Sequence, residues 1–156
     1  TVNVGTIDGG LRPNVVAPES QAVVDVRVPT AQDAERIDAA IRGLEPATPG
    51  TTIRVEGLFG RPAMEHTPAN RRLWGLACKL GKELGLELDE ATAGGGSDGN
   101  FTSLYTATLD GMGAVGAGAH ARHEHLQLTP TIERAALLAL LLAAPPLDTA
   151  ATETAA

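Results

Sequence analysis

The sequence predicts an α+β block followed by an α/β block. Three observations lead there. Residues 1–58 hold three segments of strand type, with a single helical stripe between the second and third. Beyond Arg61-Pro62, helical stripes and short strand-type segments alternate, as they do in an α/β layer. The chain is 43% hydrophobic and 20% charged, the balance of a globular protein.

Thr1 to Ile7 alternates its side chains as a strand does and meets the turn residues Asp8-Gly9-Gly10. Gln21 to Val28 is a second strand, with Ala22, Val24, Val26 and Val28 on one face and Val23, Asp25 and Arg27 on the other. These two strands are expected to pair antiparallel. Thr30, with Asp33 three residues on, predicts a helix N-cap. Ile37, Ala40, Ile41 and Leu44 then form an apolar stripe that ends before Pro46. Thr51 to Leu58 is a third strand. One helix over one face of a small antiparallel sheet is a strand and a helix short of a β-α-β-β-α-β, ferredoxin-like unit, so residues 1–62 read as an incomplete domain of that kind.

The second block spans residues 63–144. Thr67-Pro68 opens a helix whose apolar face is Leu73, Leu76, Ala77, Leu80 and Leu84, and Gly85 stops it. Leu86 to Thr92 and Thr106 to Leu109 have strand character. Ser97 is placed to cap a short helix reaching Tyr105. A last helix from about Pro130 to Ala143 is apolar nearly all round, which predicts burial. Residues 145–156 (PPLDTAATETAA) have the composition of a disordered tail.

A formal net charge of -7 argues against nucleic acid or an anionic membrane as partner, since both reward a basic face. A small acidic substrate would then need a local basic pocket. The single cysteine, Cys78, allows no intrachain disulfide and lies in a helical pattern, where it reads as a small core residue. The longest apolar run, Ala135 to Ala144, is shorter than the roughly 20 residues that span a bilayer. No signal peptide is visible, and the expected location is cytoplasmic. The chain opens directly on a strand without an initiator methionine, so it is expected to be the C-terminal part of a longer protein.

Three segments could carry chemistry. Gly116 to His125 (GAGAHARHEH) places three histidines and a glutamate after a flexible turn. His120 is the candidate metal ligand there, because the small residues before it permit close approach, while His123 and His125 read as polar loop residues. Ala93 to Phe101 (AGGGSDGNF) offers backbone amides to a ligand. Gly94, Gly96 and Gly99 also match GxGxxG, but Gly111, Gly113 and Gly116 match it equally without a helix following, so a nucleotide site is discounted. Arg27 shares a strand face with Asp25, and Asn14 lies in the loop LRPNVVAP. An arginine fork suits a carboxylate, although a plain Asp25–Arg27 surface contact explains the pair as well.

Taken in order, LRPNVVAPESQAVVDVRVP, GLFGRPAMEHT, GGGSDGNFTS and LDGMGAVGAGAHARHE resemble the glutamate carboxypeptidase, acetylornithine deacetylase, succinyl-diaminopimelate desuccinylase and aminoacylase group of zinc metallopeptidases. The likeness runs from Val2 to Leu142. It implies a truncated lid, or dimerisation, domain over 1–62 and the C-terminal half of an α/β catalytic domain over 63–144. The implied activity is hydrolysis of an amide bond at a C-terminal glutamate or an N-acyl amino acid. The implied partners are a small acidic or N-acyl amino-acid substrate and a second copy joined through the lid. By register, Arg27 and Asn14 would hold the substrate carboxylate and the developing oxyanion. Arg61 would contact an acidic side chain, Gly95, Gly96 and Ser97 would line the substrate side, and His120 would be the last zinc ligand. The family's two zinc ions draw their other ligands and their general base from motifs that nothing here supplies. No catalytic residue is therefore assigned, at most one ligand is present, and the chain alone is expected to be inactive. The alternative is a non-catalytic dimerisation or ligand-binding module.

Overall fold

The computed structural model describes residues 1–57 and 59–147. The chain divides into two compact units, Thr1–Ala63 and a second from Met64 onward.

The first unit is built on a hairpin. Strand β1 (Val2–Gly9) pairs antiparallel with β2 (Ser20–Val26), as the alternation predicts. The alternation is not perfect, because Val4 and Ile7 are three residues apart. A bulge between Val4 and Thr6 absorbs the extra residue, Gly5. Val4 then faces Val24 and Ile7 faces Ala22, so Val2, Val4, Ile7, Ala22, Val24 and Val26 share one face. Asn3, Thr6, Asp8, Gln21, Val23 and Asp25 share the other.

Helix α1 (Ala31–Arg42) starts at Thr30, whose hydroxyl accepts from the Asp33 amide at 3.0 Å and donates to the Asp33 carboxylate at 2.8 Å. Arg36 and Arg42 pair with Asp33 and Asp38 at 2.9 and 2.8 Å along its surface. The expected closed layer of helix on sheet does not form. No residue of β1, β2 or α1 is buried, and Ile7 on the apolar face stays 76% exposed. Residues 51–57, expected as a third strand, join no sheet, and Leu58 lies outside the described residues. A strand exists only through a neighbour's backbone groups, and among the described residues the hairpin is two-stranded.

The second unit rests on two helices. Helix α2 (Pro68–Glu83) begins on the Thr67 cap with Pro68 at its first position, as expected. It ends in a Schellman turn: the Leu86 amide donates to Gly81 at 2.8 Å and the Gly85 amide to Lys82 at 3.0 Å, with Gly85 at φ 74°. Helix α3 is a short turn, Gly99–Thr102, whose N-cap is Asp98, one residue past the predicted Ser97. The last helix, α4 (Leu128–Ala143), packs against α2. Ala77 and Leu137, each 1% exposed, are the buried hydrophobic residues among those described.

The predicted strands at 86–92 and 106–109 are unpaired. The sheet of this unit is a short bridge, β3 (Gly116–Ala117) with β4 (His125–Leu126), where a loop was expected. The α4 helix is apolar nearly all round, yet Leu128, Ile132, Leu138 and Leu142 are exposed, which corrects the expectation of a buried helix. An all-apolar surface needs cover on every side, and here α2 supplies one side. Of the expected tail, residues 145–147 carry neither helix nor strand, and 148–156 lie outside the described residues.

Candidate functional site

Arg27 follows β2 at the open end of the hairpin, where its backbone amide donates to Thr1 at 2.9 Å and its carbonyl accepts from the Thr1 ammonium at 2.6 Å. Its guanidinium reaches Asp25 on the polar face, with Nε donating to Oδ1 at 2.9 Å. That hydrogen bond holds the Asp25 carboxyl below its ordinary value and raises the Arg27 pKa. The ion pair predicted as the plain reading of these two residues is therefore formed, and both partners are about half exposed. A second arginine lies nearby. A cleft of about 300 Å³ at the strand–helix junction is lined by Arg27, Arg36 and Asp33, with Val26, Val28 and Ile37 as apolar walls.

Asn14 sits at the other end, in the loop of residues 10–19 that closes the hairpin. The paired positions between the ends, from Val2 to Gly9, put them roughly 20 Å apart at ~3.3 Å per residue. Asn14 does not line the Arg27 cleft. A single hairpin thus does not gather the two residues that the resemblance assigns to one substrate. Arg61 is exposed near the end of the first unit.

In the second unit the glycine loop is anchored rather than free. Ser97 Oγ donates to Asp110 Oδ2 at 2.7 Å and accepts from the Gly99 amide at 3.0 Å, while the Ser97 amide donates to Asn100 Oδ1 at 2.8 Å. Gly95 and Gly96 precede this knot on exposed backbone. Asp110 and Asn100 were not singled out in the sequence as partners of Ser97. The signal available was their acceptor chemistry, Asn100 inside the short helix and Asp110 beyond it.

The Gly116–His125 segment is a tight turn closed by the β3–β4 bridge. A Cβ at Gly116 would run into the His125 carbonyl oxygen, so glycine is required for that closure. His120 is the non-glycine residue at positive φ, 66°, among those described. Its amide donates to Glu124 Oε2 at 3.3 Å, and Ala121 and Glu124 close further turns on Gly118 and Ala121. His125 Nδ1 sits 3.0 Å from the His123 carbonyl. The left-handed backbone at His120 is a strain that only its surroundings maintain.

Among the described residues no group of three or more His, Cys, Asp or Glu side chains could hold a metal ion. A catalytic zinc takes three protein ligands, so the described residues do not fit one, and no step is routed through it.

The residue that orders this unit is Asn70, 8% exposed. Its Nδ2 donates to the Glu65 carbonyl at 2.9 Å and its Oδ1 accepts from the Thr108 amide at 2.8 Å. The start of α2 is thereby tied to the segment leading to Asp110. A lone asparagine in a helix's first turn gave no hint of this.

Residues 1–44 match the family model of the M20 peptidase dimerisation domain. This segment is similar to that dimerisation domain. The match supports the M20 metallopeptidase family and no particular subfamily, and it agrees with the hairpin and helix of the first unit. No curated protein and no solved structure matches the chain.

Proposed function

We propose that this chain is part of a zinc-dependent amide hydrolase, acting on a C-terminal glutamate or an N-acyl amino acid, in which the first unit joins two copies. The observation that carries the reading is the match of residues 1–44 to a peptidase dimerisation domain, on a hairpin whose apolar face is exposed except at half-buried Val26. A two-stranded hairpin is marginal alone in water, and pairing with a second copy gives that face the cover it lacks. Arg27, on the opposite face, would receive the substrate carboxylate by exchanging Asp25 for it. Arg61, Gly95, Gly96 and Ser97 would line the substrate's side, and His120 would contribute one zinc ligand. The described residues supply neither the remaining ligands nor a base, so the proposal assigns this chain no turnover of its own.

A non-catalytic dimerisation module is the second reading, favoured by a match confined to the dimerisation segment. Sedimentation of the 156-residue chain tests what both readings share. A dimer that Val4→Lys with Val24→Lys weakens more than tenfold is expected, since each charge would be trapped in the apolar contact. A monomer at high concentration overturns both. Binding of N-acetyl-glutamate lost in Arg27→Ala separates the first reading from the second.

A further inference from the structure

The second unit carries a pocket unconnected with any residue assigned above. It has a volume of about 440 Å³ and is lined by Ala69, Arg72 and Leu73 from α2, by Tyr105, Thr106 and Ala107, and by Leu147. Ala69, Arg72 and Leu73 stand at i, i+3 and i+4, on one helical face. The opposite wall is fixed against that helix by the Thr108–Asn70 bond, so the two sides are held at a set spacing by a buried side chain.

Arg72 Nε is buried and has no hydrogen-bond partner among the described residues. Dry polar donors in folded proteins are nearly always paired, and a cationic donor more so. Arg72 also lacks a carboxylate partner within the described residues, in contrast to Arg27, Arg36, Arg42 and Arg54, which all have one. The pocket adds two hydroxyls, from Tyr105 and Thr106, and Tyr105 is 88% exposed, with its ring at the surface. The remaining walls are apolar.

We infer that this pocket binds a small carboxylate with an apolar body. The anion would take the terminal nitrogens of the Arg72 guanidinium, whose charge no carboxylate among the described residues offsets, the Tyr105 and Thr106 hydroxyls would meet its free lone pairs, and the body would lie along Leu73, Ala107 and Leu147. A guanidinium is planar, always charged and weakly hydrated, which suits it to a carboxylate more than to a point anion. The site is independent of Arg27 and of the amide-hydrolase reading.

Benzoate is the probe. Added at millimolar concentration to the ¹⁵N-labelled 156-residue chain, it should give saturable amide shifts confined to residues 69–73 and 105–108. Benzamide, its neutral counterpart of the same shape, should bind at least tenfold more weakly. Arg72→Met should abolish the benzoate shifts, Arg72→Lys should weaken them about fivefold or more by losing the fork, and Arg27→Ala should leave them unchanged. Equal binding of benzoate and benzamide would overturn the inference without recourse to any variant, as would shifts scattered over the surface or none at all.

Discussion

Removal of the Asn70 side chain is the sharpest test of how the second unit is held. Asn70→Ala deletes two hydrogen bonds, to the Glu65 carbonyl and from the Thr108 amide, and strands the Thr108 amide, while the Glu65 carbonyl keeps its bond from the Thr67 amide at 2.8 Å. Each lost bond is worth about 0.5–1.5 kcal/mol, and a stranded buried partner costs more, so about 2–3 kcal/mol is expected in total. The effect is local. Amide hydrogen exchange at Thr108 reads it directly, and a loss of about 2 kcal/mol speeds exchange roughly thirtyfold. Asn70→Asp keeps the acceptor for Thr108 but sets a carboxylate against the Glu65 carbonyl. It should fall between wild type and Asn70→Ala, helped slightly by a negative charge in the first turn of α2. If Thr108 exchanges no faster in Asn70→Ala than in wild type, the bridge is not what orders this segment.

Other consequences can be checked as readily. Asp25 and Asp33 have carboxyl pKa values lowered by hydrogen bonds from Arg27 and Arg36, so what each pair contributes is present above the ordinary carboxylate range and lost as pH falls through the lowered value. NMR titration should show both titrating below the ordinary aspartate value, and Asp25→Asn should make the Arg27 Nε proton exchange faster. His120→Gly should relieve the left-handed backbone by about 1 kcal/mol, which thermal unfolding would register as a rise of roughly 2–4 °C. Gly116→Ala should break the β3–β4 bridge by pressing a methyl on the His125 carbonyl, at a cost of about 2 kcal/mol, seen as lost protection at Gln127, whose amide donates to Val115 at 2.8 Å.

The helices and the hairpin were legible because their signals are local. Thr30 with Asp33, Thr67 with Pro68, and Gly85 each act through neighbours within one turn, and the structure keeps all three. The apolar residues of β1 and β2 announced a two-faced pair, though not the Gly5 bulge that puts Ile7 on the face of Val4. The strands expected at 51–57, 86–92 and 106–109 failed for the opposite reason. Alternation states a preference, but a strand is made by hydrogen bonds to a neighbour that a segment's own residues cannot specify. The candidate site behaved likewise. The Asp25–Arg27 pair sits two residues apart and was readable, whereas the Ser97–Asp110 and Asn70–Thr108 bonds join residues 13 and 38 positions apart. His120 was picked for its glycine-rich approach. The turn places it in a strained conformation, and its metal role rests on the resemblance alone.

The Gly5 bulge sets the parity of the hairpin. Without the bulge, with Gly5 paired in regular register, strict two-residue alternation would turn Ile7 toward the polar side and rotate Thr6 and Asp8 into the apolar one. The bulge therefore separates a hairpin with one apolar and one polar surface from a hairpin with two mixed surfaces. While the bulge takes up Gly5, the two surfaces can change independently: substitutions around Asp25 and Arg27 alter what the polar side meets without touching the side formed by Val2, Val4, Ile7 and Val24.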